Sequence, residues 1–198
     1  MKVNRIFCIG KNYADHVQEL AHLGHAPDGE CVVFMKPASC VVPVGRPIRL
    51  PKNRGSVHHE TELVVRLNAE GEVGHFTLGL DLTLRELQTT LKNKGAPWEL
   101  AKAFDDAAPL GDWRAYRGED LQALEFTGTV NGECRQHGRT LDMLYPVARQ
   151  IQILAQTWKL GDGDVIYTGT PRGVGPLVPG DRIALESASI GRFEWECV

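Results

Sequence analysis

The run Ser56-Val57-His58-His59-Glu60-Thr61-Glu62-Leu63-Val64-Val65 constrains the fold more than any other part of the chain. Leu63, Val64, Val65 and Leu67 are good strand formers with no breaker among them, so its right half predicts a β-strand. Side chains alternate along a strand, which puts Glu60 and Glu62 on one face and Thr61 and Leu63 on the other. Two carboxylates on one face repel unless a cation or a proton stands between them. Hard divalent ions such as Mg²⁺, Mn²⁺ and Ca²⁺ take oxygen ligands and suit such a pair. The plainer account is an exposed, acidic strand face, or a charged edge that discourages aggregation. Taken alone, the pair does not choose.

Composition narrows the partners. A chain of 198 residues suits one domain, expected over 1–198, with enough length to bury a real core. Net charge is −3 and no basic run occurs, so nucleic-acid binding has no electrostatic footprint. No apolar stretch reaches the length of a membrane span, and Ile6-Phe7-Cys8-Ile9 is too short for a signal-peptide core. Cys8, Cys31, Cys40, Cys134 and Cys197 are odd in number and form no C-x-x-C pair. A reduced, cytoplasmic protein follows, with all five cysteines read as small buried hydrophobes.

Along the chain, residues 3–9 predict a first strand ended by Gly10. Asn12 is placed to cap a short helix running to Leu23, on which His16 and Glu19 are three apart and share a face. His22 and His25 match no metal spacing and read as surface residues. Residues 31–35 and 41–44 are short apolar runs, with Lys36-Pro37 turning the chain between them. Asn68-Ala69-Glu70-Gly71-Glu72 predicts a tight turn into a strand over 73–80, then Asp81. A helix is expected over 83–94, closed by Gly95 and Pro97, with Arg85 and Gln88 on one face. Lys102 follows in a short segment.

From Leu124 onward the pattern turns strongly β. Asn131-Gly132 is a two-residue hairpin signal. Residues 140–156 carry helical spacing, with Pro146 set to kink the helix or reset its start. Gly163-Asp164 and Gly180-Asp181 precede two more strands. Between them, the glycine-rich loop 168–175 lacks the Gly-Lys-Ser/Thr of a P-loop, so nucleotide binding is not indicated. Such a loop lets a ligand approach backbone N–H groups closely.

Several of these blocks, in this order, resemble the fumarylacetoacetate hydrolase family, and closely its small members with acylpyruvate hydrolase or oxaloacetate decarboxylase activity. They are Gly10-Lys11-Asn12-Tyr13-Ala14-Asp15-His16, Phe34-Met35-Lys36-Pro37, His58-His59-Glu60-Thr61-Glu62-Leu63, Leu80-Asp81-Leu82-Thr83-Leu84-Arg85, Lys102-Ala103-Phe104-Asp105, Val130-Asn131-Gly132-Glu133 and the run from Gly163 to Gly175. The resemblance implies an α+β, predominantly β fold, a mixed β-sandwich roll with a few short helices, assembled as a homodimer. It implies Glu60, Glu62 and Asp81 as ligands of Mg²⁺ or Mn²⁺, and His16 and Glu19 as a catalytic dyad on a lid spanning residues 10–24. Lys102 joins them at the catalytic centre, while Thr170, Arg85 and Gln88 line or flank the substrate site.

Two departures stand out: the segment between Glu62 and Asp81 is shorter than in close relatives, where it carries a helix, and Glu86 replaces the usual Asp after the motif's Arg. The implied activity is metal-dependent hydrolysis of the C–C bond of acylpyruvates such as fumarylpyruvate, releasing pyruvate. Decarboxylation or tautomerisation of oxaloacetate and 2-hydroxyhepta-2,4-diene-1,7-dioate isomerisation are alternatives, since each passes through a related enolate. A non-catalytic metal-binding β-protein is the reading from outside enzymology, and the presence of both His16 and Glu19 argues against it.

Overall fold

The computed structural model of the chain describes residues 1–14 and 31–198. Its largest unit is an eight-stranded mixed sheet. The order across it is Val32–Lys36, Arg5–Gly10, Asp164–Tyr167, Thr61–Leu67, Val73–Leu80, Ala108–Leu110 and Val41–Pro43, with Arg114–Ala115 also paired to Val73–Leu80. Arg5–Gly10 runs parallel to Asp164–Tyr167, so chain ends far apart in sequence lie side by side. Thr61–Leu67 sits in the middle and is buried along its whole length. That burial removes the exposed acidic face as an account of the glutamates.

Glycine sets the hairpin that follows. Gly71 takes φ +78°, and Asn68 Oδ1 accepts the N–H groups of Glu70 and Glu72 at 3.1 and 2.9 Å. Gly71 thus turns Thr61–Leu67 directly into Val73–Leu80. At the other predicted hairpin Asn131 (φ 52°) and Gly132 (φ 82°) both adopt the left-handed region that a two-residue turn demands. This turn joins Glu125–Val130 to Glu133–Arg139 in a four-stranded antiparallel sheet completed by Arg182–Ser187 and Gly191–Glu196. Glu125–Val130 packs on Thr61–Leu67, and Arg182–Ser187 packs against Val73–Leu80. Gly128 allows the close crossing, since a Cβ there would lie 2.2 Å from Thr61 Oγ1. A three-stranded sheet of Gly175–Leu177, Val57–His59 and Thr83–Leu84 closes one side. The architecture is predominantly β, as expected.

Three α-helices occur among the described residues: α1 (Arg85–Asn93), α2 (Glu99–Lys102) and α3 (Val147–Ala155). Helix α1 starts two residues later than expected, because Thr83 and Leu84 pair with His58 and Val57. The Glu86 carboxylate accepts the Ser56 N–H at 2.9 Å and ties the start of α1 to the loop before His58. Pro146 resets the start of α3, as proline at a helix start does. The apolar residues Leu141 and Leu144 upstream of it are exposed.

All five cysteines are free, but Cys134 is exposed and Cys31 half-buried, so the buried-hydrophobe reading fails for those two. Cys134 lies on the antiparallel strand Glu133–Arg139, where its neighbours Glu133 and Arg135 are exposed as well.

Candidate active site

The acidic pair meets a third carboxylate. Val73–Leu80 runs antiparallel to Thr61–Leu67 with Thr61 opposite Leu80, and the chain then bends so that the Asp81 N–H donates to Glu60 O at 2.9 Å. The carboxylate oxygens of Glu60, Glu62 and Asp81 come within 4.8 Å of one another, with the three residues only 5%, 2% and 2% exposed. Three buried like charges are unfavourable without cations. Lys102 Nζ lies 2.8 Å from Glu60 Oε2 and 2.7 Å from Asp81 Oδ2. Lys36 Nζ is 2.8 Å from Asp81 Oδ1. The Arg85 guanidinium pairs with Glu60 Oε1, and its Nη1 donates to Gln88 Oε1 at 2.9 Å.

Glu62 is the exception. Among the described residues no cation stands within ion-pair distance of it, and its partner is the Gly169 N–H at 2.7 Å. Burial, then the charges of Asp81 and Glu60, push its carboxyl well above the usual carboxylate range. For Lys102, burial works against the charge, but Asp81 and Glu60 outweigh it and raise the ammonium's pKa. Lys102 therefore stays protonated.

The donor set fits a hard divalent ion: three carboxylates converge, all oxygen ligands, and one of them is short of positive charge. Glu60, Glu62 and Asp81 are the residues that could hold it.

The triad forms the floor of a cleft. Arg85, Gln88 and Lys92 line it from α1, Lys102 from α2, Thr170 from the glycine-rich loop, and Phe34 and Trp98 supply apolar walls. Every predicted site residue within the described segments therefore reaches one cleft. His16 and Glu19 lie outside the described residues, as do His22, His25 and most of the expected lid. Where that segment is described, its beginning is anchored. Gly10 pairs with Val32, and Asn12 is buried, donating to Thr168 O at 2.7 Å and Tyr145 O at 3.1 Å while accepting the Tyr145 N–H at 2.7 Å.

The glycine-rich loop holds protein groups with the donors expected to meet a ligand, since the Gly169 N–H goes to Glu62. Two residues escaped sequence reading. Lys36, taken as part of a turn, ends a strand and sends a fully buried ammonium to Asp81, to Leu82 O at 3.0 Å and to Lys102 O. Its block in the family resemblance was the available signal. Gln136 lies on a strand of mostly exposed residues, yet it is buried. Its Oε1 accepts the Thr61 N–H at 2.8 Å and sits 3.0 Å from His59 Nδ1, and its Nε2 donates to Thr170 Oγ1 at 2.8 Å. It joins the strand Thr61–Leu67, just after Glu60, to the Thr170 loop. No motif marks it.

Known proteins are similar to this chain over nearly its whole length. The family model described as fumarylacetoacetate (FAA) hydrolase C-terminal matches residues 5–198. The oxaloacetate tautomerase YcgM of Escherichia coli K12 is 38% identical over 202 residues, covering 92% of this chain and 88% of the relative. The crystal structure of fumarylpyruvate hydrolase from Pseudomonas aeruginosa in complex with Mn²⁺ and pyruvate superposes with a TM-score of 0.92 at 32% identity, covering 99% of this chain and 90% of that one. The 2-hydroxyhepta-2,4-diene-1,7-dioate isomerase from Mycobacterium marinum does so at 0.83 and 30% identity, covering 99% and 75%.

Proposed function

We propose, from the premise that the chain belongs to the fumarylacetoacetate hydrolase family, that it is a divalent-metal-dependent enzyme cleaving the C–C bond of acylpyruvates to pyruvate and a carboxylic acid. The observation that carries this reading is the buried Glu60–Glu62–Asp81 triad with Lys102 bridging two of its members. When bound, Mg²⁺ or Mn²⁺ supplies Lewis acidity toward the keto oxygen of a 2-oxo acid. Lys102, held protonated, donates a hydrogen bond to the oxygen on which enolate charge develops. Arg85 is fixed between Glu60 and Gln88, which orients the α1 wall of the cleft. Thr170, locked by Gln136 and by Thr61 O at 2.9 Å, also lines the cleft.

We assign His16 the proton of a water that attacks the carbonyl two carbons from the keto group, and Glu19 the orientation of that imidazole. The bond between the attacked carbon and its neighbour then breaks, and pyruvate leaves as its enolate, which takes up a proton. The enzyme is taken to work as one catalytic domain over 1–198, as a homodimer in the cytoplasm.

Oxaloacetate tautomerisation is the second reading, favoured by the 38% identity to the Escherichia coli tautomerase. It requires enolate stabilisation and a proton relay, with no attacking water.

A panel of acetylpyruvate, fumarylpyruvate and oxaloacetate, assayed after chelation and readdition of Mg²⁺ or Mn²⁺, separates the two. Pyruvate release from an acylpyruvate, dependent on the ion and lost about a hundredfold to ten-thousandfold in His16→Ala, is the expected result. Keto–enol exchange of oxaloacetate without cleavage of any acylpyruvate would make tautomerisation the function. Full turnover in chelated protein would overturn both.

A further inference from the structure

The α1 helix presents more positive charge to the cleft than the triad consumes. Arg85, Gln88 and Lys92 are spaced i, i+3 and i+7, which puts them on one stripe of the helix. At a rise of about 1.5 Å per residue, the stripe climbs roughly 10 Å from the level of Arg85. Lys92 stands at its far end with its ammonium 4.7 Å from the centre of the Trp98 ring. Trp98 packs on Phe34 with ring centroids 5.7 Å apart, and the Lys102 ammonium lies 5.0 Å from the centre of the Phe34 ring. One aromatic wall therefore carries a lysine at the floor and a lysine toward the mouth.

The two are not equivalent. Lys102 is tied to Glu60 and Asp81, whereas Lys92 has no carboxylate within ion-pair distance among the described residues. Lys36, Lys102 and Arg85 already pair with Glu60 and Asp81, and a divalent ion at the triad would bring further positive charge. Burial, together with repulsion from Lys102, Arg85 and Lys11, lowers the Lys92 pKa to about 8 against a partial pull from Glu60. A half-buried cation held among other cations in a cleft is stabilised by an anion brought to it.

We propose that Lys92 is a specificity-determining residue that pairs with the distal carboxylate of a dicarboxylic 2-oxo acid, while the proximal oxo-acid end lies at the triad. The inference rests on the proposed 2-oxo-acid chemistry and deepens it by naming the residue that reads the distal end of the substrate. Trp98 and Phe34 flank the carbon chain between the two ends. A monocarboxylic acylpyruvate fits the same cleft but leaves Lys92 without a counter-charge.

Binding to the Mn²⁺-loaded protein tests this apart from turnover. The probes are oxalate, 2-oxohexanoate, and the diacids 2-oxoglutarate and 2-oxoadipate, measured by calorimetry. Wild-type protein is expected to bind at least one diacid about tenfold to a hundredfold more tightly than 2-oxohexanoate, the range of a charge-assisted hydrogen bond. In Lys92→Met that preference disappears while oxalate affinity stays within about twofold; Lys92→Arg retains most of it. Methionine keeps the chain volume and a favourable sulfur–aromatic contact with Trp98, so the wall stays packed. No diacid preference in wild type, or an undiminished preference in Lys92→Met, overturns the assignment. Failure of the wild type to bind oxalate with Mn²⁺ would instead sink the metal-site reading. A diacid preference without turnover of any acylpyruvate or oxaloacetate would sustain Lys92 and remove the proposed reaction.

Discussion

Glu62 is the residue at which the charges of the site do not balance. Its neighbours Glu60 and Asp81 have cations, while it has a backbone N–H. Glu62→Gln keeps an oxygen to accept the Gly169 N–H and removes the charge. The expected outcome is a large loss of Mg²⁺ or Mn²⁺ affinity in calorimetry. In the metal-free protein the same change should raise stability by about 1 kcal/mol, or ~2–4 °C in Tm, because a like-charge contact is relieved. An unchanged affinity would remove Glu62 from the ligand set.

Lys92 makes a pH prediction of definite sign. It is charged below its pKa of about 8 and neutral above it. The preference for a diacid over 2-oxohexanoate should therefore be full near pH 7 and fall as pH rises, with a midpoint at or above about 8, since a bound carboxylate favours the charged lysine. Glu60, Lys102, Arg85 and Lys11 are the charged groups that act on it. A preference that stays flat to pH 10, measured in the same titration, would separate it from Lys92.

At the scale of elements, the loop 168–175 is the joint between the sheet and the site. Asp164–Tyr167 delivers it beside Arg5–Gly10 and Thr61–Leu67, and Thr168 bonds back to Leu63 O through both its N–H and its hydroxyl. Gly169 then takes φ +102°, and a Cβ there would fall 2.6 Å from Asn12 Cβ. Gly169→Ala meets both the strained backbone and the overlap. It should cost about 1–3 kcal/mol, read as a Tm loss of ~2–10 °C. The substitution should also weaken metal binding, because the N–H that holds Glu62 moves with it. A variant as stable as wild type would show that the loop yields without strain.

The whole molecule has a β framework of two large sheets, and within its triad Glu62 is the carboxylate with no cation partner among the described residues. Anything that binds the folded state alone stabilises it by mass action, about 2.7 kcal/mol at a hundred times Kd. Saturating Mg²⁺ or Mn²⁺ should therefore raise Tm by ~5–10 °C, reversed by a chelator, with a smaller rise in Glu62→Gln. A Tm indifferent to the ion would argue against a resident metal. No helix among the described residues is long and apolar enough to cross a membrane.

The sequence by itself determined the strand that carries Glu62, with Glu60 immediately before its first residue, both glycine hairpins, the break at Pro146 and the helix face shared by Arg85 and Gln88. These are local properties: alternation along a strand, left-handed φ at glycine and asparagine, a missing N–H at proline. It also yielded the family, because several short blocks in order carry information that no single pattern does. Only the tertiary structure decided which charges meet. Lys36, Arg85 and Lys102 reach the triad from three separate elements, and Gln136 crosses from the second sheet to hold the strand and the loop together. Such pairings depend on the crossing of sheets and the bend after Leu80, which join residues 21 to 75 positions apart. Burial likewise distinguishes Lys102, held charged by two carboxylates, from Lys92, left over an aromatic ring without one. Both are lysines at the end of a short helix, and only packing tells them apart.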